Sequence, residues 1–221
     1  MPQMDYYSQP ADLRLNSELA LTDEQEDALR SFTWERVLAG EADLDSYLEW
    51  AGDEFPEQEE QALSQAFATV CEARRAQIAS WPPELRSTAL MTAFSELAEI
   101  GIVARGNFSC CGNCGSSEIW EERDDSRIWR GYVYFHAQDA ERIPDERATY
   151  LGYGVFLDAY LPESEWNALS DEAKDQTYTR LVTELMAEAT TVFERHGIEV
   201  EWTGDLAVRI LLKNVDWYIE V

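Results

Sequence analysis

The densest group of reactive side chains is Asn107-Phe108-Ser109-Cys110-Cys111-Gly112-Asn113-Cys114-Gly115, which holds three of the four cysteines. A C-x-x-C-G turn suits a zinc knuckle, because two sulfurs converge on one ion while glycines let backbone amides point at the thiolates. A structural zinc takes four ligands, and adjacent residues such as Cys110 and Cys111 diverge in most backbones. His136 or Cys71 would complete the set if the fold brings it close, so the candidate metal ligands are Cys110, Cys111, Cys114 and His136. The same pair at a helix N-terminus would be a redox dithiol with a lowered thiol pKa. The strand that usually precedes such a dithiol is poorly formed here. A third reading packs the small thiols under Phe108 and Trp120. The chain has no second C-x-x-C, so packed thiols are the leading expectation and zinc the principal exception. Cys71 falls on an apolar helical stripe and reads as core.

A second constellation is Phe135-His136-Ala137-Gln138-Asp139, at the end of an apolar strand where side chains often line a pocket. His136 there suits a base or a metal ligand oriented by Asp139. The competing expectation has His136 hydrogen-bonded at the core edge and Asp139 capping a short helix at 140–142; no nucleophile stands beside the histidine in sequence. Gln138, Asp139 and Tyr153 are the further site candidates. Tyr153 lies in Tyr150-Leu151-Gly152-Tyr153-Gly154, where glycines allow either close approach to a ligand or a sheet crossing. His196, beside Gly197, fits a helix C-terminus. No phosphate loop, dinucleotide fingerprint, serine elbow or H-E-x-x-H pattern occurs in the chain.

Taken together, Asn107-Phe108-Ser109-Cys110-Cys111-x-x-Cys114-Gly115, Phe135-His136-x-Gln138-Asp139 and Tyr150-Leu151-x-Tyr153-Gly154 resemble an uncharacterised family of actinobacterial proteins of unknown function. The resemblance covers residues 90–212 and implies a shared architecture around these motifs, with no assigned activity.

The elements that must position these residues are legible from periodicity. Residues 1–20 are polar and aperiodic and read as a loose arm. Residues 21–100 read as a helical region. Thr22 and Gln25 form a capping box, and a short helix follows around Leu44–Trp50. A longer one over 56–80 has Leu63, Phe67, Val70, Cys71 and Ile78 on one face, and another begins at Pro83 and stops at Gly101. Residues 101–221 read as an α+β domain carrying the cysteine turn. Its strands lie at 102–104, 130–136 and 150–156; a long helix ends at Gly197, and a hairpin over 198–212 turns at Thr203-Gly204-Asp205. Two helix-Gly-Ile-strand units, around Gly101 and Gly197, point to a mostly antiparallel sheet with helices packed on one face.

Charge narrows the function. With 44 acidic and 17 basic residues the net charge is −27, so nucleic-acid phosphates and anionic membranes would repel the chain. No segment approaches the roughly 20 apolar residues of a membrane span. The N-terminal residues lack the basic start and apolar run of a secretory signal, so the expected location is the cytoplasm, in a bacterial cell, with reduced cysteines. The leading functional expectation is a non-catalytic binding protein for a basic partner, either immunity-like or a mimic of nucleic-acid charge. The alternative is a metal-binding or thiol-dependent enzyme centred on Cys111, Cys114, His136 and Asp139.

Overall fold

Thr22 opens the first helix as its sequence predicts. Its hydroxyl accepts the Gln25 N–H at 3.3 Å, and the Gln25 amide oxygen accepts the Thr22 N–H at 3.0 Å. This helix, α1, spans Asp23–Leu38, and α2 spans Leu44–Glu54 behind an Asp43 cap on the Ser46 N–H. Helix α3, Glu60–Ser80, starts later than the periodicity suggests. The Gln58 N–H instead bonds the Phe55 carbonyl, closing a turn through Pro56.

The computed structural model describes residues 4–15, 19, 21–41 and 43–220; the expected arm at 1–20 lies partly outside them. The chain divides into two units, 1–86 with 218–221, and 87–217. In the first unit α1, α2 and α3 bury Leu29, Val37, Tyr47, Leu63, Val70 and Cys71. Arg74 is fully buried among the rings of Trp34, Trp81 and Tyr218, and it donates to the Tyr6 carbonyl at 2.9 Å.

The second unit opens with α4, Ala89–Glu99, capped by Thr88 on the Met91 N–H. Pro83 does not start this helix; it opens a separate 3-10 turn, Pro83–Leu85, that ends before Thr88 can cap α4. Then follow β1 (Ile102–Arg105), α5 (Gly112–Glu118), β2 (Gly131–Tyr134), α6 (Ala137–Ala140), α7 (Ile143–Glu146) and β3 (Ala148–Val155). The chain continues through α8 (Glu163–Ala168), α9 (Asp171–Arg195), β4 (Glu199–Glu201) and β5 (Ile210–Lys213). No described helix is long and apolar enough to cross a membrane.

The sheet order is β1-β2-β3-β5-β4. Its pairs are antiparallel except β1–β2, which is parallel, so the α+β class holds with a mixed sheet. Gly101 and Gly197 both adopt positive φ, +80° and +77°, and terminate α4 and α9. Each of these helix-glycine-strand units thus ends in an edge strand, β1 or β4, and the two helices pack on each other and on the sheet. The expected hairpin is shortened: β5 begins at Ile210, because Tyr153 donates its hydroxyl to the Val208 carbonyl at 2.8 Å and accepts from Trp202 at 3.0 Å, holding 202–209 as a loop.

Candidate metal centre

The cysteine turn is built between β1 and α5 by a strained backbone. Asn107 and Ser109 both take left-handed conformations, φ 51° and 63°, which cost non-glycine residues about 1 kcal/mol or more each. Backbone bonds then run the turn alongside the histidine strand: Phe108 donates to Phe135, and Ala137 donates to Ser109. This places the chain entering α5 beside His136.

Helix α5 is anchored through one side. The Tyr134 hydroxyl donates to the Gly112 carbonyl at 2.8 Å and lies 2.7 Å from the Ser116 hydroxyl. Gly115 packs so closely that a Cβ there would fall 2.5 Å from the Tyr134 ring. Cys114 lies about 160–200° around the helix from Gly112 and Ser116, so it faces away from Tyr134. Phe108 and Trp120, expected to cover the thiols, contact Tyr134 and Phe156 instead. The packed-thiol expectation is therefore corrected. Cys110 is exposed and Cys111 and Cys114 are half-buried, because Phe108 packs towards Tyr134 and the sheet core while Trp120, itself 42% exposed, turns to Phe156.

The sulfurs of Cys110, Cys111 and Cys114 all lie within 4.8 Å of one another. A hydrogen bond from the Cys114 backbone N–H holds the Cys111 thiol below its ordinary pKa, helped by the Cys114 thiol and the Asn113 N–H. Cys114 is pushed up to about 11, because its thiol hydrogen bonds to Cys110 and Cys111 favour its protonated form. The turn thus holds one thiol biased towards thiolate and a neighbour biased towards thiol. Cys71 lies in the core of the first unit, 4% exposed, and stands outside the group.

His136 is buried and held by Asp139, with Nε2 3.0 Å from Oδ2. Arg209 forms an ion pair with the same carboxylate and donates to the Tyr150 carbonyl at 2.7 Å. Asp139 therefore sits inside α6 as the acceptor of this network rather than capping the next turn. The Cδ2–Nε2 edge of His136 faces Gly112, at 3.7 and 3.8 Å from where a Cβ would stand. Among the described residues its buried Nδ1 has no hydrogen-bond partner, and the close group of ligand atoms is formed by the three thiols without His136.

His136 and Arg209 also line a pocket of about 320 Å³, together with Asn113, Ser116, Tyr134 and Gly152. Tyr153 borders it, but its hydroxyl is used in pinning the 202–208 loop. Gln138 is exposed on α6. The glycines of the Tyr150–Gly154 motif serve the sheet: a Cβ on Gly152 would stand 2.7 Å from the Tyr134 ring, and one on Gly154 2.5 Å from the Tyr132 hydroxyl. His196 does cap a helix end, with Nε2 2.7 Å from Glu96.

Two residues of this region were missed from sequence. Tyr134 anchors α5, and Arg209 completes the His136–Asp139 network. Arg209 is the lone charge in the apolar run Leu206–Leu212, which was its available signal.

The fold and its thiol turn define an α+β protein with a candidate thiolate metal centre. The chain belongs to a family described as a domain of unknown function, DUF6891, whose model matches residues 22–219. The match takes in the helical first unit as well as the stretch at 90–212 that carries the motifs. No curated protein and no solved structure matches the chain.

Proposed function

We propose that this protein is a metal-binding protein whose Cys110, Cys111 and Cys114 hold one zinc ion as a three-thiolate site, with the fourth position taken from outside the chain. The carrying observation is the approach of three sulfurs to within 4.8 Å. Zinc bonded to sulfur at about 2.3 Å sets tetrahedral sulfurs about 3.8 Å apart, so the turn needs only a small contraction. Thiolates favour zinc, copper(I) and iron–sulfur clusters over hard cations. The exposure of the thiols and the strained turn that presents them support a binding role over a packing one. In this reading His136 is not a ligand: its Nε2 is bonded to Asp139, and it forms a wall of the neighbouring pocket.

The test is metal analysis of protein purified without chelator, with melting temperature measured before and after chelation. Near-stoichiometric zinc and a clear drop in melting temperature on chelation are expected, because ligand ordering is coupled to the metal. Failure to take up zinc after reduction and reconstitution would overturn the reading.

A second reading rests on the net charge of −27, which suits fast, salt-sensitive association with a basic protein. Capture of one defined basic protein from the native host at low salt, and its loss at high salt, is the expected outcome. Recovery of none at either salt argues against it.

A further inference from the structure

We infer that the three-thiolate site is emptied by oxidation: a small-molecule disulfide converts Cys111 and Cys114 to an intramolecular disulfide and releases the metal. This rests on the metal reading above and names its regulation.

Three sulfurs stand within 4.8 Å of one another, and Cys110 is exposed, so a reagent of modest size reaches the group from solvent. Of the three pairings, adjacent Cys110 and Cys111 have Cα atoms about 3.8 Å apart across a trans peptide, below the 4.4–6.8 Å that disulfides span. Cys111 is the N-cap of α5 and Cys114 lies one turn on. Helix geometry separates such Cα atoms by about 5 Å, inside that range, so this pair closes without moving the helix. Tyr134 holds α5 from its other side through Gly112 and Ser116, and those contacts are untouched by the closure.

In the step, a Cys111 sulfur attacks one sulfur of the reagent disulfide, breaking its S–S bond and expelling one thiolate. Cys114 sulfur then attacks the mixed disulfide, forming the Cys111–Cys114 bond and expelling the second thiolate. Two protein thiolates lose two electrons and the reagent disulfide gains them. The ion then keeps Cys110 as its one ligand from the chain, too few to hold it. Cys71, buried in the first unit, supplies an internal control.

The test treats the zinc-loaded chain with oxidised glutathione while a chromogenic chelator reports free zinc. Free thiols are titrated and the linkage is mapped by mass spectrometry. The expected result is one zinc released for two thiols lost, a mapped Cys111–Cys114 bond, and Cys71 still reduced. C110S should form the same bond. Zinc that stays bound with all thiols intact overturns the inference while leaving the metal reading in place. A bond mapped to Cys110, or between two chains, also overturns it. A chain that takes up no zinc at all ends the metal reading and this inference with it.

Discussion

The alpha carbon of Gly115 is turned into the ring of Tyr134, where a Cβ would lie 2.5 Å from Cε2. Tyr134 cannot give way, because Gly152 leaves the same ring just enough room on the neighbouring strand, where a Cβ would stand 2.7 Å away. Gly115→Ala should therefore overpack this contact and destabilise the chain by about 1–3 kcal/mol. Gly112→Ala meets only ordinary contact with His136 at 3.7 Å and serves as control. Thermal melts of both variants check this; equal melts would contradict it.

Reactivity of the metal-free turn should be ordered. Thiolate is the nucleophile, so a thiol with a lowered pKa reacts at a pH where the others are still protonated. Cys111 should be alkylated first, with a rate–pH midpoint below 9, and Cys114 should follow only towards its value of about 11. Peptide mapping after timed alkylation between pH 6 and about 9 checks the order. Simultaneous labelling of both cysteines would refute it.

Ligand variants separate the thiols from the histidine. Each of Cys110→Ser, Cys111→Ser and Cys114→Ser should weaken zinc affinity by about tenfold or more, since each removes a proposed ligand. His136→Gln should bind at wild-type stoichiometry. Competition with a metal indicator measures both, and loss of zinc in His136→Gln would bring the histidine back as a ligand.

Asp139 is 5% exposed and neutralised by Arg209, whose own side chain is 41% exposed. Arg209→Ala leaves a buried carboxylate supported by His136 alone. The expected cost, reduced for the exposed half of the pair, is about 1–3 kcal/mol in chemical denaturation. An unchanged denaturation midpoint would show that the pair adds nothing.

In the first unit, Arg74 is completely buried, and its pKa falls to about 10 because burial disfavours the charge. Arg74→Ala should cost about 3–5 kcal/mol through lost packing and lost bonding to the Tyr6 carbonyl. Arg74→Met keeps most of the volume and removes the buried charge, so it should cost less. Equal losses in the two variants would place the contribution in the charge rather than the packing.

The sequence by itself determined whatever local chemistry dictates. The Thr22–Gln25 capping box, the glycine stops at 101 and 197, the aromatic and β-branched strands and the α+β class all follow from contacts a few residues apart. The cysteine turn and the His136–Asp139 pair were visible for the same reason, since each motif spans only a few positions. Tertiary structure alone decided the rest. The parallel β1–β2 pair depends on a crossover between distant strands, and no local pattern encodes its direction. The exposure of the thiols depends on Tyr134 holding the other side of α5 through Gly112, Gly115 and Ser116, and the arginine partner of Asp139 lies 70 residues away at Arg209. Spacing can bring the cysteines near one another. Whether their sulfurs face solvent or core is settled by long-range packing, which periodicity does not carry.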